Sequence, residues 1–139
     1  MEVNVRGVLE RDERAPAVAR EFVTSTLRQW GRPELSADAV LLVDELVTNA
    51  LRHVRFGVVQ LDLSCTDDLL RVDVSDAACD FVEGQAPQRP SDVPRMGLRI
   101  VDSVADRWGV LFSPSGKSVW FELDVITDRL PAELSTVGT

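Results

Sequence analysis

The sequence predicts an α+β fold: a two-layer α/β sandwich in which a mixed, mostly antiparallel sheet carries three helices on one face. Three observations lead there. Stretches of two-residue alternation lie beside stretches of helical spacing. The later strands come in pairs joined by links of a few residues, as hairpins require. The order along the chain is β-α-α-β-β-α-β-β, with strands and helices grouped in the way of a one-sided sandwich.

The elements follow in order. Val3, Val5 and Leu9 against Asn4 and Arg6 predict a short edge strand over residues 2–9. Ala15, Val18, Ala19, Phe22, Val23, Leu27 and Trp30 repeat at helical spacing; Pro16 suits the first turn, and Gly31 with Pro33 ends the helix. Ser36 is placed as the N-cap of a second helix that runs to about Val54, with Asp38 in its first turn, where the helix dipole favours an anion. Val59, Leu61, Leu63 and Cys65 form one alternating strand and Leu70, Val72 and Val74 the next, joined by 66-TDD-68. Periodicity stops at Ala77 and stays absent to Arg95, with Pro87, Pro90 and Pro94 inside; a loop of that length in a small domain is usually functional or mobile. A third helix is predicted over 97-GLRIVDSVADRW-108, with Leu98, Val101, Val104, Ala105 and Trp108 on one side. Strands at 109-GVLFS-113 and 118-SVWFELDV-125 close the domain around 114-PSGK-117. Trp108 and Trp120 read as core or rim packing rather than as groups that stack on a base.

Bulk properties bound the function. A chain of 139 residues, 45% hydrophobic and 27% charged, suits one globular domain, here residues 1–125, followed by a polar tail over 126–139. A net charge of −8 argues against a general nucleic-acid surface, which needs clustered cations. Cys65 and Cys79 make neither a disulfide framework nor a zinc site. No apolar run has the length of a signal peptide or a membrane span, so a cytoplasmic protein without direct membrane contact is expected.

One feature of the second helix is out of keeping with a purely structural element. Asp38, Glu45, Asn49 and then Arg52 or His53 fall near one line of it, while Val40, Val43, Leu46, Val47, Ala50 and Leu51 cover the other sides. So wide an apolar surface predicts a helix that is packed on more than one side. Residue type alone leaves open that Glu45 and Asn49 are simply solvated. A carboxylate one turn from an amide also suits chemistry: the carboxylate takes a proton from a nucleophile, and the amide oxygen is a hard ligand for Mg²⁺.

The run 44-DELVTNALRH-53 closely resembles the N box of the GHKL ATPases, which include histidine-kinase catalytic domains and gyrase. Together with 97-GLRIVDSVADRWGV-110 and 116-GKSVWFEL-123 it resembles, more narrowly, the actinobacterial branch of anti-sigma-factor serine kinases. The likeness spans about residues 15 to 124 and implies a histidine-kinase-like ATPase domain with a Bergerat-like ATP-binding fold. It implies ATP and Mg²⁺ as cofactors. Glu45 takes the place of the general base and Asn49 that of the Mg²⁺ ligand; His53, the only histidine, continues the line at the helix end and joins the cofactor-binding set, with no phosphotransfer role. Asp76 takes the place of the aspartate that accepts a hydrogen bond from the adenine amino group. Guanine presents a carbonyl there, and two acceptors would face each other. Ala78, Arg95, Gly97, Leu98, Lys117 and Ser118 complete the implied nucleotide-binding residues, the last two through a G-[KT]-[TS] hairpin bordering the pocket.

The departures are specific. Ala78 and Asp80 replace the two glycines that follow the family's aspartate, and Arg95 replaces the first glycine of the G-x-G before the third helix. An arginine at that point either blocks the approach of phosphate to backbone N–H groups or grips the phosphate itself. Two functions therefore stay open. In one, the protein phosphorylates a serine of an anti-anti-sigma antagonist and sequesters a sigma factor. In the other, it is a non-catalytic module of the same fold that regulates a partner without phosphotransfer. The resemblance also implies a homodimer formed through the first strand and helix.

Overall fold

The alternating residues near the start form strand β1 (Val3–Glu10), and the helical repeat that follows forms α1 (Ala15–Gln29). A 3₁₀ turn (Pro33–Leu35) leads straight into α2 (Ser36–His53); β2 (Val58–Cys65) and β3 (Leu69–Asp76) come next, then α3 (Arg99–Val104), β4 (Arg107–Ser113) and β5 (Gly116–Asp124). These come from a computed structural model that describes residues 2–53, 57–76, 98–113 and 116–125, with backbone only for His53 and Ser113. The predicted loop from Ala77 to Arg95, the first residues of 114-PSGK-117 and the tail over 126–139 lie outside the described residues.

The five strands form one sheet in the order β1-β2-β3-β5-β4. Each neighbouring pair is antiparallel among the described residues, in keeping with the expected mostly antiparallel sheet under three helices. Register places Val59, Leu61, Leu63 and Cys65 opposite Asp76, Val74, Val72 and Leu70, and Leu70, Val72 and Val74 opposite Leu123, Phe121 and Val119. Directly opposed residues share a face, so these side chains, Asp76 apart, make one apolar surface that the helices cover. All are buried, Phe121 completely. At about 25 cal/mol per Å² of apolar surface, each large side chain here contributes roughly 1.5–3 kcal/mol, and Phe121→Ala would cost about 3–5 kcal/mol.

The helices sit where their apolar stripes dictate. Ala15, Ala19, Val23 and Leu27 of α1 are buried, and α1 packs on β1 so closely that a Cβ on Gly7 would lie 3.1 Å from the Phe22 ring. The end of α1 is a Schellman motif: Gly31 has φ 74°, its N–H donates to the Arg28 carbonyl, and the Arg32 N–H donates to the Leu27 carbonyl at 2.8 Å. Helix α2 packs against α1, α3 and β3, with Leu42, Val43, Leu46, Val47 and Ala50 buried. Its apolar width is thereby accounted for, as the sequence pattern predicts.

Two boundaries differ from expectation. The third helix ends at Val104, and Trp108 belongs to a strand. Ala105 is already extended (ψ 145°), and Arg107 and Trp108 pair with Glu122 and Phe121. The spacing of Val104 to Trp108 fits a helix, but that of Trp108 to Val110 fits a strand equally well, and the open edge of β5 supplies the backbone partners. Trp108 still reaches the helix, donating its indole N–H to Asp102 Oδ1 at 2.9 Å. Ser36 is itself helical (φ −64°, ψ −40°), so it lacks the extended backbone of an N-cap; the 3₁₀ turn provides the entry to α2 instead.

Candidate functional site

Three polar side chains on the helix-facing side are almost wholly withdrawn from solvent at one end of the sheet. Asn49, Asp76 and Lys117 are each 4% exposed. Asn49 lies in the last turns of α2. Asp76 closes β3, on the side it shares with Val72 and Val74. Lys117 enters β5 one residue before Ser118, which is paired with Ser75, so Lys117 and Asp76 are successive neighbours across the two strands. The sheet alternation that buries Val74 and Val119 also turns Asp76 and Lys117 inward.

A fourth residue holds this group together. Arg11, in the link between β1 and α1, donates from Nη2 to Asp76 Oδ1 and from Nη1 to the Ala50 carbonyl at 3.1 Å. Its side chain is 7% exposed and that of Asp76 fully buried, so the pair is screened from water. One guanidinium thus joins the end of β3 to the backbone of α2, beside Asn49. Sequence reasoning missed Arg11. It stands in 10-ERDER-14, a run of charges that reads as a solvated link, and nothing in spacing or type distinguishes it from Arg14, which is exposed.

The remaining polar atoms define what the group can do. The second oxygen of Asp76, Oδ2, is buried and has no hydrogen-bond partner among the described residues. The same holds for Lys117 Nζ. Burial, reinforced by the nearby charge of Arg11, lowers the Lys117 pKa to about 8. Buried polar atoms are nearly always satisfied, so an acceptor and a donor left open at the same end of two neighbouring strands call for an explanation, and a bound ligand is one.

The other predicted site residues fall as follows. Glu45, one turn before Asn49 on α2, is half-buried; Asp38 and Arg52 on the same line are exposed. Leu98 is buried and directly precedes α3. Ser118 faces the outer side of the sheet, where its hydroxyl meets that of Ser75 at 3.2 Å. The structure therefore brings Asn49, Asp76 and Lys117 together and leaves Ser118 on the opposite face. Ala78, Arg95, Gly97 and the side chain of His53 lie outside the described residues, as do Cys79 and Asp80.

For a metal, the described residues contain no group of three or more His, Cys, Asp or Glu side chains. A Mg²⁺ ion that arrives with a phosphate group does not need one, because it keeps waters and takes only one or two protein oxygens. The amide oxygen of Asn49 fits that role. The open carboxylate oxygen of Asp76 fits the amino group of a base. No helix among the described residues is long and apolar enough to cross a membrane.

Residues 9–123 match the sequence model of a family described as histidine kinase-like ATPase domain. The match takes in every buried polar residue of the site, Arg11 included. Among curated proteins no match is found.

Proposed function

The chain belongs to the histidine kinase-like ATPase domain family, and from that premise we propose that it is an ATP-binding regulatory protein of the anti-sigma-factor kinase type. In this reading adenine lies against the end of β3, with its amino group donating to Asp76 Oδ2, and Asn49 holds a Mg²⁺ ion through its side-chain oxygen. The ion, when bound, neutralises charge on the β- and γ-phosphates. Glu45 accepts the proton of a serine hydroxyl on an antagonist protein while the serine Oγ takes the γ-phosphoryl group and ADP leaves. Phosphorylation adds charge at the contact with that antagonist and so switches partners. The partners are a sigma factor and its anti-anti-sigma protein, and β1, an edge strand of the sheet, pairs with its copy in a homodimer.

The observation that carries the nucleotide part is the buried, open Oδ2 of Asp76 on the helix-facing side. It is supported by the placement of Asn49 on the neighbouring turn of α2, tied to Asp76 through Arg11. Titration calorimetry with Mg-ADP tests it. Wild type binds, and Asn49→Ala and Asp76→Asn bind at least about tenfold more weakly, in line with the loss of one hydrogen bond or metal contact. Equal affinity in all three proteins would exclude this site. Transfer is tested separately with γ-labelled ATP: Glu45→Gln retains nucleotide affinity and loses label on the antagonist serine. Label transfer at the wild-type rate in Glu45→Gln removes the base role.

A further inference from the structure

Arg11 is held from both ends. Its backbone enters a hydrogen-bonded turn between β1 and α1. There the Asp12 N–H donates to the Glu10 carbonyl at 3.0 Å, the Arg14 N–H to Asp12 Oδ1 at 2.8 Å, and the Ala15 N–H to the Asp12 carbonyl at 3.1 Å. Leu9 and Ala15, on either side of the turn, are buried in the core. At the other end the guanidinium meets acceptors on two elements. Ala50 is among the last four residues of α2, whose carbonyls have no partner within the helix. Arg11 Nη1 donates to that carbonyl and brings a cation to the negative end of the helix dipole. Arg11 Nη2 donates to Asp76 Oδ1. The other oxygen of that carboxylate, Oδ2, has no hydrogen-bond partner among the described residues.

We propose that Arg11 is a positioning residue for nucleotide recognition: by holding Asp76 Oδ1 against the end of α2, it sets the direction in which Oδ2 meets the amino group of the base. The proposal rests on the nucleotide-binding reading above and deepens it, giving a role to a residue outside the motifs that support that reading. A carboxylate left to itself turns about its Cβ–Cγ bond, which is a broad, roughly two-fold torsion. A planar guanidinium with a rigid fork of donors grips both acceptors at once, which a point cation does not. The rotation of Asp76 is thus given up on folding rather than on binding, so less is lost when the base arrives. Burial keeps water from competing, since the Arg11 side chain is 7% exposed and that of Asp76 fully buried. The same guanidinium ties the base acceptor to the backbone next to Asn49, the residue placed at the metal. Arg11 touches neither base nor phosphate in this arrangement and acts through Asp76.

The test compares Mg-ADP with Mg-IDP, whose base carries a carbonyl where adenine has its amino group. Calorimetry is run on wild type, Arg11→Met, Arg11→Lys, Asp76→Asn and the double variant of Arg11→Lys with Asp76→Asn. Wild type should bind ADP at least about tenfold more tightly than IDP, because the carbonyl faces Oδ2 as a second acceptor. Arg11→Met should lower that ratio about tenfold by weakening ADP, with IDP nearly unchanged. Arg11→Lys keeps the charge on a single point donor and should lower the ratio about fivefold, the scale of one hydrogen bond. A general loosening of the fold would weaken both nucleotides alike, so the ratio separates positioning from stability. The double variant gives a second readout. In the Asp76→Asn background, Arg11→Lys should cause no further loss of ADP affinity, because its effect runs through Asp76. If Arg11→Met does not fold, Arg11→Lys and the double variant decide. A wild-type ratio preserved in Arg11→Lys, or losses that add in the double variant, overturns the proposal and leaves the nucleotide site standing. Equal affinity of wild type for ADP and IDP, or binding of neither, overturns the functional reading and this proposal together.

Discussion

On the outer side of the sheet, Arg6, Arg71 and Arg107 meet Asp62, Asp73, Glu122 and Asp124 in pairs that water reaches. On the helix-facing side, Arg11 meets Asp76 where water does not. The same residue types do different work on the two faces. The outer pairs sit in a ladder across β1 to β4, with the Arg71 guanidinium 4.3 Å from the centroid of the Trp120 ring. They keep that face soluble and hold register, and each is individually weak because solvent already satisfies both charges. The inner pair gives up hydration on both partners and holds three elements in one place. A buried charge whose partner is removed has nothing to replace it.

That contrast can be broken most directly at Arg11. Arg11→Ala leaves the Asp76 carboxylate buried without its cation and should cost about 3–5 kcal/mol in urea unfolding. On the outer face, Arg6→Ala should leave the urea midpoint unchanged within measurement, because Arg6 is largely exposed and its contact with Asp62 is a surface one. Equal effects at the two sites would mean that the inner cluster is hydrated in solution.

Lys117 sharpens the same comparison through pH. Its pKa is about 8 in the folded chain, below the ordinary 10.5. Below pH 8 both folded and unfolded chains carry the proton, and the full penalty of the buried charge is present. Between about pH 8 and 10.5 the folded chain releases the proton first, so the contribution of Lys117 to stability rises with pH and levels off above that. Lys117→Met should therefore stabilise the ligand-free protein at pH 7, by on the order of 3 kcal/mol at about 1.4 kcal/mol per pKa unit, and the gain should vanish by pH 10.5. The sequence has no tyrosine, which clears this window of phenol titration. The Cys65 thiol, pushed up by burial, works in the opposite direction, so the difference between variant and wild type across pH is the quantity to follow by denaturant titration. A difference that stays flat from pH 7 to 10.5 would place Lys117 in solvent.

A smaller effect is expected at Gly109, on the outer face of β4. A Cβ there would lie 2.7 Å from the Trp120 indole nitrogen. Gly109→Ala must displace a ring that is held between Gly109 and Arg71, and should cost about 1 kcal/mol with a change in tryptophan fluorescence. An unchanged emission spectrum would mean that the ring already moves freely.

The strands and the first two helices were legible because burial imposes a period: two residues for Val59 to Cys65, between three and four for Ala15 to Leu27. The third helix was misjudged at its end because Trp108 satisfies both periods, and only pairing with Phe121 decides between them. Within the site, Asn49, Asp76 and Lys117 were found from their place in motifs, and the structure brings these three together. Ser118 was grouped with Lys117 through the G-[KT]-[TS] hairpin, and in the strand the two side chains point to opposite faces of the sheet. Arg11 left no trace in the sequence. Its role depends on the link after β1 reaching Asp76 at the end of β3 and the Ala50 carbonyl of α2, a meeting set by tertiary structure rather than by local pattern.

The claim on which the account rests is that the buried carboxylate at the end of β3 receives a nucleotide base. Thermal melting with and without millimolar Mg-ADP, on wild type and Asp76→Asn, tests it most directly, each protein being compared with its own ligand-free melt. Ligand at about 100 times its dissociation constant adds roughly 2.7 kcal/mol, which for a domain of this size is a rise of several degrees. The account predicts that rise in wild type and its loss in Asp76→Asn. No rise in wild type, or the same rise in both proteins, would contradict it.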